Sequence, residues 1–188
     1  RTAPRPENDE LREACAKTGS RPWASCWPPL WWHNYWYARA YAGFVNVRSG
    51  FEGNNIWLFP KVSKGLRYPF KSLRTGGSGN GIEILRRTKT GEHENATVME
   101  GIREGILDAR YIATLKAAIN KAKQAGRDVA AHEKELDQMI ESAPTLRAGS
   151  HGDCWDRPGL ADAGDWSVAK NEQLRQRIAR MIIALDGD

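Results

Sequence analysis

Apolar residues recur at three- and four-residue spacings through 98–124, where Ile102, Ile106, Ala109 and Ala113 form one line and Ile112, Leu115 and Ile119 widen it. That period predicts an amphipathic helix over 98–124. The same spacing predicts a helix over 127–143, with Val129, Leu136, Met139, Ile140 and either His132 or Glu133 inward, stopped at Pro144. A last helix is expected over 166–187, with Leu174, Ile178, Met181, Ile182 and Leu185 on one side. Nearer the start, "NDELREACAKTG" reads as a short helix capped by Asn8 or Asp9 and ended by Gly19.

Two short apolar runs have a different character. The segment 22–27 in "RPWASCWPP" is ended by two prolines, and 54–59 in "GFEGNNIWLFP" is preceded by a glycine-rich turn, so both predict short buried strands. Between them Trp32, Trp36, Arg39, Ala40 and Gly43 repeat at a helical period. The resulting order of helix, strand, helix, strand is that of parallel βα units. Residues 60–97, with "TGGSGNG" at their centre, predict a long loop.

The helix at 98–124 contains a puzzle. Gly101 and Gly105 lie one turn apart near its start, although each glycine there costs about 1 kcal/mol against alanine. A bare Cα at the edge of an apolar stripe lets another backbone approach closely, so the pair is expected to serve packing. Glu100, Arg103, Glu104, Asp108 and Arg110 crowd the same end. Acidic side chains near a helix N-terminus favour its dipole and can pair with cations, so structural ion pairing is the first expectation for the cluster.

Composition changes this picture little. The 188 residues carry a formal charge of +5 and are 40% hydrophobic, which suits one packed domain or a piece of a larger one. No apolar run approaches the roughly 20 residues of a membrane span, and no basic-then-apolar leader opens the chain. The first residue, Arg1, suggests a start inside a longer reading frame. Cys15, Cys26 and Cys154 form no C-x-x-C pair, and the cluster His151, Asp153, Cys154 and Asp156 packs too many ligands into six residues, so no metal site is expected. His33 and His93 have no nucleophile partner at a recognisable spacing.

The helix motif nevertheless resembles a known family. "EGIREGILDARYIATL", with Glu100, Arg103, Glu104, Gly105, Asp108, Tyr111 and Ile112, is similar to a segment near the C-terminus of glycoside hydrolase family 123 and its relatives. "YARAYAGFVNVRSGFEGNNIWLF" also resembles that family, through Arg39, Gly50, Gly53 and Trp57. The resemblance spans about 9–124. It departs at Ala109, where relatives often carry an aromatic, and in the loop before the motif.

The resemblance implies an α/β fold, the C-terminal part of a (β/α)8 TIM-type barrel. Residues 1–124 would supply its last two βα units, with strands near 22–27 and 54–59 and final barrel helix 98–124, and residues 125–188 a helical extension. It implies a β-N-acetylgalactosaminidase-type activity on glycans, including those with N-acetylhexosamine, without a cofactor. The adjacent catalytic Asp-Glu pair is expected upstream, because Asp9 and Glu10 open a helix and fit a cap. The chain alone is then expected to be inactive. Trp27, Trp57, Phe59 and Tyr68 are the expected substrate-binding residues, since aromatic faces cover sugar C–H surfaces. Arg39, Glu100, Arg103, Glu104, Gly105, Asp108 and Tyr111 would be the structural motif. Such an enzyme would fit a secreted or periplasmic location; oligomeric state is not legible.

Two other functions compete. One is a non-catalytic carbohydrate-binding or scaffold barrel. The other, ranked third, is nucleic-acid binding through the basic loop 60–90, where Lys61, Lys64, Arg67, Lys71, Arg74, Arg86, Arg87 and Lys89 are interleaved with Tyr68 and Phe70 but form no recognised module.

Overall fold

A proline opens the first helix, where its missing N–H is no loss and its fixed φ suits the first turn: α1 spans Pro6–Thr18. This comes from a computed structural model, which describes residues 6–25, 35–55, 85–87, 93–95, 97–144 and 168–187. Asn8 and Asp9, expected as caps, lie inside α1, and Asp9 instead pairs with Arg12 one turn on at 3.3 Å. Strand β1 is Trp23–Ser25. Helix α2, Tyr35–Ala40, continues into a π-helical turn at Tyr41–Val45 and then α3, Asn46–Ser49. Gly43 leaves helical angles (φ −105°, ψ −112°), so the chain kinks there. Strands β2 (Gly53–Asn55), β3 (Leu85–Arg87) and β4 (His93–Asn95) follow. The remainder is helical: α4 at Thr97–Gln124, α5 at Ala130–Glu141 and α6 at Val168–Asp186.

The core lies between helices. Ile112, Leu115, Ala118, Ile119 and Ala122 of α4 meet Leu174, Ile178, Met181 and Leu185 of α6, with Leu136 and Met139 of α5 closing one side and Tyr41, Phe44 and Val45 another. Helices α4 and α6 run side by side in the same direction: Arg175 bonds to Glu104 and Asp108 at one end, and Lys121 lies 3.9 Å from Asp186 at the other. Helix α2 crosses the start of α4 with the same polarity, Tyr35 meeting Gly101 and Arg39 meeting Gly105.

Of the apolar face predicted for α4, Ile102, Ile112, Leu115 and Ile119 are buried, while Ile106 is 45% exposed and Ala113 faces out. A buried seam runs through Gly101, Gly105, Asp108, Ile112, Leu115, Ile119 and Ala122 at alternating spacings of four and three, flanked by Ile102 and Ala118. The seam begins with two glycines and a carboxylate, which apolar counting passes over. The glycines do what their spacing suggested. A Cβ on Gly101 would sit 2.4 Å from the Tyr35 carbonyl oxygen, and one on Gly105 would sit 2.3 Å from that of Arg39. Both are contacts that no real side chain makes, so only bare Cα atoms admit α2 at this distance.

The chain is not the last two βα units of a (β/α)8 barrel, and it is not an α/β fold of that kind; helix dominates the described residues. Among the described residues, extended pairing is seen in three-residue segments: β1 lies parallel to β2 with Trp23 opposite Gly53, and β3 lies antiparallel to β4 with Leu85 opposite Asn95. Barrel strands are buried on both faces and barrel helices pack on them. Here Trp23 of β1 is 59% exposed, and the apolar faces of α4, α5 and α6 pack on one another. The βα order inferred from alternating elements therefore reflects local chain geometry and not a sheet layered by helices. Among the described residues, no helix is long and apolar enough to cross a membrane.

Candidate functional site

Helices α2, α4 and α6 bring together charged residues that lie far apart in the chain. Arg39 stands in the last turn of α2, Glu104 and Asp108 are one turn apart on α4, and Glu172 and Arg175 project from the first turns of α6. Asp108 is fully buried. Its carboxylate accepts a fork of hydrogen bonds from Arg39, with Nε to Oδ2 at 2.8 Å and Nη2 to Oδ1 at 3.1 Å. Arg175 Nε donates to the same Oδ1 at 2.5 Å, and Arg39 Nη2 also donates to Glu172 Oε2 at 3.1 Å.

Arg175 is the joint between α4 and α6. Besides Asp108 it reaches Glu104 twice, through Nη1 to Oε2 at 2.6 Å and Nη2 to the backbone carbonyl at 2.7 Å. Its guanidinium lies 5.8 Å from the centre of the Tyr111 ring, within cation–π range. Glu104 Oε1 meets Arg103 Nη2 at 2.6 Å, and Arg103 Nε donates to Glu100 Oε2 at 2.8 Å on the exposed side.

Two cations and two anions form the buried centre, so the charge taken out of water is balanced. Burial alone would lower the Arg39 pKa, but the hydrogen bonds and charge of Asp108, with help from Glu172, outweigh it and raise it. The same contest ends the same way at Arg175, where burial is opposed by Glu104 and Asp108. The hydrogen bond from Arg175 is the main cause holding Glu104 below the ordinary glutamate range, against the opposite pull of burial.

This arrangement fits anchoring better than proton transfer. A general acid needs a raised pKa and a reachable proton. Glu104 has the opposite shift and both oxygens taken, and Asp108 has no exposed surface and both oxygens taken. Among the described residues no group of three or more His, Cys, Asp and Glu side chains is placed to hold a metal ion.

The residues of the expected structural motif are thus found around one contact. Arg39, Glu104 and Asp108 are in direct ion pairing, Gly105 admits the α2 backbone beside them, Tyr111 lies against Arg175, and Glu100 and Arg103 extend the chain of charges outward. The expected substrate-binding residues Trp27, Trp57, Phe59 and Tyr68 lie outside the described residues, as do His151, Asp153, Cys154, Asp156 and His33. So does the basic loop, except Arg86 and Arg87 in β3. Apolar spacing did not point to Arg175 or Glu172. The signal available was Asp108 itself, because a carboxylate on a buried seam demands cationic partners from every neighbouring helix.

No protein-family model matches the chain, and no curated protein or solved structure matches it.

Proposed function

We propose that this chain is a helical, non-catalytic part of a glycan-acting protein, with the catalytic acids supplied from elsewhere and the charged motif serving to join three helices. The observation that carries the non-catalytic half is the saturation of Asp108 and Glu104 by Arg39, Arg103 and Arg175. Each oxygen of the two carboxylates is engaged by an arginine, which favours the ionised form of Glu104. The glycan half rests on the resemblance of "EGIREGILDARYIATL" to the glycoside hydrolase segment. A protein of this kind acts on glycans containing N-acetylhexosamine.

The test is turnover. The purified chain, incubated with chromogenic N-acetyl-galactosaminides and N-acetyl-glucosaminides, is expected to release no chromophore above a heat-inactivated control. Release that disappears in Glu104→Gln, while that variant still unfolds cooperatively on heating, would overturn the non-catalytic reading.

A further inference from the structure

Helix α6 is attached to the rest of the molecule in two unlike ways. In its C-terminal half Ile178, Met181 and Leu185 are buried in the helical core, and Arg127 Nη2 donates to the Leu185 carbonyl at 2.6 Å. In its N-terminal half, among the described side chains, Leu174 is the one core contact, beside the buried Asn171. The rest of that attachment is charged: Arg175 reaches Asp108 and Glu104 on α4, and Glu172 reaches Arg39 on α2. One half is therefore held mainly by apolar burial and the other mainly by ion pairs.

Glu104 is the group on which the charge balance turns. Around it stand Glu172 and Arg175 from α6, Tyr35 and Arg39 from α2, and Glu100, Arg103, Asp108 and Tyr111 from α4 itself. With Glu104 ionised, two carboxylates meet two guanidiniums in the buried centre. With Glu104 protonated, Asp108 alone stands between Arg39 and Arg175, whose charges oppose each other. Glu172 does not restore the balance, because its side chain is 44% exposed to water. The arginine that yields is Arg175. Its side chain is 14% exposed against 3% for Arg39, and Arg39 keeps its own two-point grip on Asp108.

We propose that the N-terminal half of α6 is an acid-released latch: protonation of Glu104 lets the helix lift from α2 and α4 as far as Arg175, while the half from Ile178 onward stays docked. In the closed form the hydrogen bond from Arg175 holds Glu104 below the ordinary glutamate range, and release returns it to that range. Closure is therefore complete above the ordinary range and is lost as pH falls through the lowered value. Once lifted, the turns before Ile178 are too short to remain helical without packing, so they unwind. Release also frees the Tyr111 ring from Arg175 and opens Asp108, fully buried in the closed form, to water.

The experiment uses the full chain labelled with nitrogen-15 and carbon-13, followed by NMR in steps from about pH 6 to about pH 2.5. Two quantities are read: amide exchange protection along α6, taken against the intrinsic rate at each pH, and the chemical shift of the Glu104 carboxyl carbon. Protection over Glu172–Gln176 is expected to fall about tenfold or more with the midpoint of the Glu104 titration, while Met181–Ala184 stay within about threefold of their starting values. Glu104→Gln is expected to show the low protection over Glu172–Gln176 already at pH 6. Equal loss along the whole of α6 marks global acid unfolding and overturns the latch. So does a Glu104 titration that leaves Glu172–Gln176 protected, and so does a loss whose midpoint departs from that of Glu104. These three outcomes are read on the wild type, so the latch is decided without any substitution. A folded Glu104→Gln with wild-type protection at pH 6 overturns it as well.

Discussion

Gly105 shows how one missing methyl group decides an interface. In an isolated helix alanine would be better there by about 1 kcal/mol. In this protein the added Cβ would meet the Arg39 carbonyl oxygen at 2.3 Å, the Ala42 methyl at 2.8 Å and the Gly43 nitrogen at 3.0 Å. Two of these obstacles are backbone atoms, which cannot swing aside. Overpacking of this kind costs about 1–3 kcal/mol, occasionally more, so it outweighs the gain in helix propensity. Gly105→Ala is therefore expected to lower stability and to part α2 from α4. Thermal denaturation reads the sign: a melting temperature equal to or above wild type would show that the two helices do not touch there. Glycine was recognisable in the sequence as a packing device, but the backbone that uses it was not, because nothing in 98–124 names the segment that crosses it.

At the scale of elements, α2, α4 and α6 are held by apolar seams at one end and by charges at the other. Glu100 lies in the first turn of α4, where an anion suits the positive end of the helix dipole. The buried pair between Arg39 and Asp108 is an alignment device first. Removing one partner leaves a charge in the interior and costs about 3–5 kcal/mol, whereas replacing both by apolar residues of similar volume is often neutral or stabilising. Asp108→Ala is thus expected to be severely destabilised in chemical denaturation, and the double variant Arg39→Met with Asp108→Leu to recover most of the loss. A double variant no more stable than Asp108→Ala would mean that the pair contributes net stability rather than register.

For the molecule as a whole, the charge cluster links stability to pH. The Glu104 pKa is lowered by folding, so its contribution is complete above the ordinary glutamate value of about 4.3 and is lost as pH falls through the lower folded value. Wild type is expected to melt above Glu104→Gln at pH 6, with the gap narrowing as pH falls below the ordinary glutamate range. A gap that stays constant over that range would separate Glu104 from the acid transition. The sequence by itself determined α4, α5 and α6 almost to their ends, because each carries enough periodic apolar residues to announce a helix regardless of what it packs on. Only the tertiary structure decided the layer those helices form. Short apolar runs such as those that open with Trp23 and Asn54 look alike whether or not they enter a barrel, since strand identity is local and sheet formation is not. Likewise only the packing of α6 on α4 brought Arg175 to Asp108, 67 residues away, and turned a row of like-looking surface charges into one buried contact.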